Sequence, residues 1–154
     1  MPVNKDQVVV SENVSQTVKA LIEKILASLE SLSSQRSFIT IGLSGGSLIN
    51  QLSDEIGNYL DRFKPYTQKL RFLFCDERFV PLDHKDSTYY GFKVNKFFEN
   101  LQIPDENVFY IKADAASVEE CAIDYEKRLR PLLNENQGFD ILLLGIGLLK
   151  FVIY

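Results

Sequence analysis

Phe38-Ile39-Thr40-Ile41-Gly42-Leu43-Ser44-Gly45-Gly46-Ser47 is an apolar β-type run that empties into a glycine turn just before a helical pattern begins. That succession is one way a fold holds phosphate. Gly45 and Gly46 have no Cβ, so the backbone there can take positive φ and bring N–H groups close to an anion, while Ser47 is placed to cap the next helix. The helix N-terminus would add partial positive charge and unpaired donors. A lone Gly-Gly-Ser also marks ordinary strand-to-helix turns, so the neighbouring segments have to decide.

Upstream, Val14, Val18, Leu21, Ile22, Ile25, Leu26, Leu29 and Leu32 recur at three- and four-residue steps and form one apolar helix stripe, with a short strand expected before it at Gln7 to Val10. Downstream, Leu48, Leu52, Ile56 and Leu60 mark the core side of a second helix, and Pro65 breaks the pattern. Leu70 to Cys75 is a mainly apolar run ending in Asp76-Glu77-Arg78, which suits a strand buried on both faces of a parallel sheet. Beyond the polar loop containing His84 and Asp86, a helix is expected over Thr88 to Asn100, capped by Ser87 and anchored by Tyr89, Phe92, Phe97 and Phe98. Asn107 to Ile111 reads as a strand, Ser117 with Glu120 as a capping box for a helix that Pro131 ends or kinks, and Phe139 to Leu144 as a last apolar strand. Strands alternating with helices predict an open, mainly parallel α/β sheet with helices on both faces, Rossmann-like in class.

The 154 residues suffice for one domain with a sizeable core, and 45% hydrophobic with 25% charged residues is an ordinary globular composition. A formal net charge of -4 without a lysine and arginine cluster argues against nucleic acid as a partner. Two cysteines, Cys75 and Cys121, make neither a disulfide framework nor a metal motif, which favours a reducing compartment. The polar start after Met1 lacks the apolar stretch of a secretory signal, so a cytoplasmic address is expected. The apolar segment from Ile141 to Tyr154 is too short to span a membrane and contains Lys150.

Ligands of such a sheet collect outside the carboxyl ends of its strands. Three apolar runs end suggestively, in Ser44-Gly45-Gly46-Ser47, in Asp76-Glu77-Arg78 and in Gly145-Ile146-Gly147. Arg78 can present a planar fork to a carbonyl, carboxylate or phosphate, and Asp76 can accept from sugar hydroxyls or orient that arginine. A solvated Asp and Arg loop pair is the competing reading. His84 is the only histidine, and Asp83, Lys85 and Asp86 around it indicate an exposed loop. The glycine turn lacks the Gly-Lys-Ser/Thr ending of a Walker loop, the Gly-x-Gly-x-x-Gly dinucleotide pattern and the Gly-x-Ser-x-Gly nucleophile elbow. One histidine and scattered carboxylates show no metal-ligand spacing.

Gly42-Leu43-Ser44-Gly45-Gly46-Ser47, Cys75-Asp76-Glu77-Arg78-Phe79-Val80-Pro81, Asp86-Ser87-Thr88-Tyr89 and Phe139-Asp140-Ile141-Leu142-Leu143-Leu144-Gly145, in that order, resemble the successive signatures of the 6-phosphogluconolactonase family. The resemblance runs nearly the whole chain up to Gly147. It implies hydrolysis of 6-phosphoglucono-1,5-lactone to 6-phosphogluconate, in the oxidative pentose phosphate pathway, without metal or organic cofactor. It further implies that Ser44, Gly45, Gly46 and Ser47 bind substrate and that Asp76 and Arg78 belong to the catalytic site. Arg78 suits negative charge developing on the lactone oxygen. The related hexosamine-6-phosphate deaminases and isomerases share this general fold and a glycine turn and are the nearest rival, although Arg78 after Asp76-Glu77 looks like the lactonase version.

The departure comes at Gly147. Lactonases continue there with a Gly-x-Gly-Pro-Asp-Gly-His-type loop whose histidine is the family's general base, whereas this sequence continues Leu148-Leu149-Lys150-Phe151-Val152-Ile153-Tyr154. No residue matches that histidine. The expectation is an incomplete lactonase-like domain over 1–147 with a divergent apolar tail over 148–154, arising by truncation, alternative splicing or a faulty gene model. Such a chain would be inactive: it would bind sugar phosphate weakly, act only as an interaction module, or fail to fold stably, and its shortened sheet is expected to leave an apolar edge or patch seen as aggregation or dye binding. Residues 1–154 are therefore expected to show little lactonase turnover in a direct hydrolysis assay. Turnover near that of a full-length relative, abolished by His84→Ala, would place the base at His84.

Overall fold

The computed structural model describes residues 9–145. Within them, helices α1 (Val14–Ser33), α2 (Ser47–Ile56), α3 (Leu60–Phe63), α4 (Thr88–Val94), α5 (Phe97–Asn100) and α6 (Val118–Asn136) alternate with strands β1 (Ile39–Leu43), β2 (Leu70–Phe74), β3 (Val108–Phe109) and β4 (Ile141–Leu143). The strands form a parallel sheet in the order β3-β2-β1-β4. The α/β class and parallel sheet expected from the sequence are thus observed. Of the strand expected at Gln7 to Val10, Gln7 and Val8 lie outside the described residues, and Val9 and Val10 carry no strand. Gly147 and the segment 148–154 also lie outside them.

Period-two alternation divides the sheet into two faces. Ile39, Ile41 and Leu43 stand beside Leu70, Phe72 and Phe74 in register, and all six are buried in one cluster with Val18, Ile22 and Leu29 of α1, Leu52 and Ile56 of α2, and Phe92, Phe97 and Phe98. Five phenylalanine rings interlock there, with centroids 5.0 Å apart for Phe92 and Phe97 and 5.3 Å for Phe72 and Phe98. These rings are core, as their apolar settings predicted, and each buried aromatic side chain contributes about 2 kcal/mol or more of transfer free energy. α6 covers the opposite face, where Leu73, Cys121 and Leu129 are buried.

Several expected elements come out differently. The second helix, expected to carry Leu48, Leu52, Ile56 and Leu60 on one core side, ends at Ile56, and a tighter turn over Gly57–Tyr59 separates α2 from α3. The helix expected over Thr88 to Asn100 breaks into α4 and α5 because Lys96 adopts a left-handed conformation (φ 54) and the Asn95 side chain donates to the Gly91 carbonyl, closing α4. The turn directs Phe97 and Phe98 into the core. Pro131 does not end α6, which runs on to Asn136. Pro131 is exposed, so water can satisfy the carbonyl that the missing N–H leaves unpaired. The strand expected over Asn107 to Ile111 pairs for only two residues, at Phe72↔Val108 and Leu73↔Phe109. Beyond that pairing, the Tyr125 hydroxyl of α6 accepts the Phe74 N–H at 2.8 Å and lies 2.8 Å from the Phe109 carbonyl, replacing the next ladder step. Burial pushes its phenol pKa well up, so the hydroxyl keeps its proton and can serve as donor and acceptor together.

At the amino end of β1, Thr40 and Asp140 form a polar hub. One Asp140 oxygen accepts from the Thr40 N–H at 2.9 Å, the Thr40 hydroxyl at 3.0 Å and the Asn136 amide at 2.7 Å, while the other pairs with Arg36 Nε at 3.1 Å. The Asp140 side chain is only 2% exposed, and these donors offset the cost of burying so polar a group. Next along β1, a Cβ on Gly42 would lie 2.5 Å from Leu142 Cδ2 and 2.7 Å from Cys75 Sγ. Leu142 and Leu144 remain 49% and 53% exposed, an apolar border along β4. Asp140→Ala should lower unfolding free energy by about 3 kcal/mol, because it strands several buried donors at once. Gly42→Ala should lower it by about 2 kcal/mol through overpacking, both measured by urea denaturation.

Candidate active site

The chain passes from β1 to β2 to β3 on one side and returns to place β4 on the other, so the strand order reverses between β1 and β4. Sites of open α/β sheets form at the carboxyl ends beside such a reversal. The glycine turn lies there. Asp76, just past β2, reaches across to it: its carboxylate accepts from the Ser44 hydroxyl at 2.7 Å and from the Gly45 N–H at 3.0 Å. Gly145, just past β4, stands on the other side, its would-be Cβ 3.6 Å from the Gly45 carbonyl. The three strand ends that the sequence singled out therefore meet.

The Gly45 amide is committed to Asp76, and the Ser44 N–H to the Leu143 carbonyl at 3.1 Å. The donors left for an anion are therefore further along. Gly46, with φ 79, is the N-cap of α2 and offers no side-chain cap bond, and Ser47 is the first helical residue. This corrects the expected capping role of Ser47: the positive φ of Gly46 makes the turn into the helix, so Ser47 is already inside it. The N–H groups of Gly46, Ser47 and Leu48 find no acceptor among the described residues. Thr88, 5% exposed, adds a hydroxyl without a hydrogen-bond partner among the described residues, placed 2.9 Å from where a Gly45 Cβ would stand. Any side chain at position 45 would strike it.

Glu77, which sequence reasoning quoted but gave no role, is the most heavily bonded carboxylate of the site. It accepts from the Arg78 N–H at 2.8 Å, the Thr88 N–H at 2.7 Å, the Tyr89 N–H at 2.8 Å and the Ser87 hydroxyl at 3.3 Å. Ser87 caps α4 as expected, its Oγ accepting from the Tyr90 N–H at 3.1 Å. The Asp-Ser-Thr-Tyr stretch is thus tied to Glu77 through Ser87, Thr88 and Tyr89. The only sequence sign was a carboxylate ten residues before a serine cap, and nothing local links the two.

Arg78 is exposed and makes no ion pair among the described residues. The loop-pair reading of Asp76 with Arg78 therefore fails, because Asp76 turns inward to the glycine turn and leaves the guanidinium available. His84 lies in an exposed loop as expected, its Nδ1 accepting the Asp86 N–H at 3.2 Å and lying 3.7 Å from the Asp86 carboxylate. No cluster of three or more His, Cys, Asp or Glu suited to a metal ion occurs among the described residues. No described helix is long and apolar enough to cross a membrane.

Cys75 lies between β2 and Asp76 with its thiol beside Gly42. Partial burial, and secondarily the neighbouring Asp76 charge, push its pKa above the ordinary thiol value. Alkylation requires the thiolate. Cys75 should therefore react with iodoacetamide more slowly at pH 8 than an unhindered thiol, and Asp76→Asn should accelerate it; mass spectrometry of timed samples measures both. Equal rates in the two proteins would show that the Asp76 charge does not reach the sulfur.

The chain is similar to several known proteins. A 6-phosphogluconolactonase from Homo sapiens is 36% identical over 138 residues, covering 86% of this chain and 53% of that protein. One from Bos taurus is 40% identical over 111 residues, covering 70% and 42%. Among solved structures, a 6-phosphogluconolactonase from Plasmodium vivax superposes with a TM-score of 0.74 at 26% identity, over 90% of this chain and 47% of that one. One from Thermotoga maritima gives a TM-score of 0.68 at 25% identity, over 84% and 56%. The chain spans about half the length of the curated relatives it matches. With residues 12–148 matching the model described as glucosamine-6-phosphate isomerases/6-phosphogluconolactonase, the chain belongs to that family.

Proposed function

We propose that this chain carries the sugar-phosphate-binding part of a 6-phosphogluconolactonase site, built for hydrolysis of 6-phosphoglucono-1,5-lactone to 6-phosphogluconate. The observation that carries the reading is the junction of Asp76 with Ser44 and Gly45: it shapes a turn beside which three amides at the start of α2 and the Thr88 hydroxyl lie without partners among the described residues, and Arg78 follows Asp76 by two positions. The amides of Gly46, Ser47 and Leu48 suit an anionic oxygen at a helix N-terminus. Asp76 keeps acceptor capacity on both oxygens and suits a sugar hydroxyl.

In ester hydrolysis water adds to the lactone carbonyl, negative charge builds on the carbonyl oxygen, and the ring C–O bond then breaks to give the carboxylate and a free hydroxyl. Arg78 suits the charge-building step because its guanidinium is permanently cationic and offers five donors. Water activation needs a base within hydrogen-bond reach, and the family's histidine has no counterpart among the 154 residues. The role proposed for this stretch is thus binding and charge stabilisation, with no metal or organic cofactor in either step. The same reading keeps a cytoplasmic address, which imaging of a tagged full-length chain would check.

6-Phosphogluconate titrated into residues 1–154 should shift the amide resonances of Gly46, Ser47 and Leu48, and Arg78→Ala should weaken that binding by roughly tenfold or more. Absence of shifts at the glycine turn would sink the reading. Ammonia release from glucosamine 6-phosphate by a full-length relative carrying these residues would move it to the deaminase branch.

A further inference from the structure

Glu77 stands between Asp76 and Arg78, yet its carboxylate has no capacity left for a substrate. Two oxygens offer about four lone-pair sites, and four donors occupy them: the Arg78 and Thr88 N–H groups on Oε1, the Tyr89 N–H and the Ser87 hydroxyl on Oε2. A carboxylate so engaged is an anchor for the backbone around it. Its bonds tie the backbone of Arg78 to the first turn of α4, whose Thr88 side chain lies against Gly45. On its other side Gly45 is held by Asp76. Arg78, Thr88 and the glycine turn are consequently linked into one frame, with Glu77 at the joint.

We propose that Glu77 is the positioning residue of the site: it fixes where the Arg78 side chain leaves the backbone and how closely Thr88 approaches the glycine turn. This inference rests on the reading of Arg78 as a ligand-binding group. Without Glu77, the segment from Asp76 to Ser87 would depend on local turn bonds such as Val80 N–H to the Arg78 carbonyl at 2.8 Å and Ser87 N–H to the His84 carbonyl at 2.9 Å. Those bonds shape the loop internally without fixing it to α4. Arg78 would then sample many positions, and ligand binding would have to order it.

The test uses residues 1–154 with Glu77→Ala, Glu77→Gln, Arg78→Ala and the double variant Glu77→Ala/Arg78→Ala, titrated with 6-phosphogluconate and followed by amide hydrogen exchange without ligand. Glu77→Ala should weaken binding about tenfold, while Glu77→Gln, which can keep one carbonyl acceptor for the Arg78 and Thr88 amides, should weaken it only about threefold. In the Arg78→Ala background the Glu77→Ala change should add only about twofold, the part that acts through Thr88, because the larger part acts through Arg78. Full additivity, or wild-type affinity in Glu77→Ala, would overturn the inference. If the wild-type chain does not bind 6-phosphogluconate, the functional reading falls, and the clamp is then judged by exchange alone. Exchange of the Arg78, Thr88 and Tyr89 amides should quicken at least about tenfold in Glu77→Ala; if that variant does not fold, exchange of the Tyr89 amide, whose acceptor oxygen glutamine replaces with a donor, should quicken likewise in Glu77→Gln. Unchanged rates at these amides would overturn the inference.

Discussion

Everything at the candidate site depends on the parallel pairing of β1 with β2 on one side and β4 on the other. Parallel ladders run their strands in one direction, so the residues following β1, β2 and β4 emerge at the same edge of the sheet. With Leu43 opposite both Phe74 and Leu143, the next residues are Ser44, Cys75 and Leu144, and the site residues are only one or two positions beyond. A one-residue slip would turn the buried side chains of a strand to the other face. Burial of both faces of the sheet therefore fixes the site as firmly as it fixes the core.

Two aspartates bracket β1, and their settings explain their different uses. Asp140, at the amino end, is enclosed by Thr40, Asn136 and Arg36, and the low dielectric makes each of those bonds count while excluding any ligand. Asp76, at the carboxyl end, is exposed and engages the glycine turn with two bonds, leaving lone pairs open to solvent. The first closes the sheet and the second shapes a site. Glu77 joins them in a third manner, since its donors come from the next residue and from a helix more than ten positions away.

Long periodic elements were legible because burial imposes a repeating pattern on the chain. α1 begins at Val14 with Asn13 capping the Gln16 N–H at 3.0 Å, and its buried residues follow the apolar stripe. The carboxyl ends of β1, β2 and β4 could be read for the same reason. Short elements were not legible: β3 holds two paired residues, and its missing ladder step is supplied by Tyr125 from a distant helix. The break at Lys96 was hidden because phenylalanines on both sides fit a helical period. The path of α6 past Pro131 depended on exposure, which the local sequence does not record.

The sequence by itself determined the α/β alternation, the glycine turn, the charged exit Asp76-Glu77-Arg78 and the succession of motifs that marks the family, because each is a matter of local spacing or residue type. Only the tertiary structure decided which donors and acceptors meet. Asp76 bonds Ser44 and Gly45 rather than Arg78, Gly46 rather than Ser47 is the N-cap of α2, and Glu77 spends its acceptors on Arg78 and α4. The physical reason is that a hydrogen bond requires partners within about 3 Å in a set direction, and that proximity arises from strand register and helix packing rather than from position along the chain.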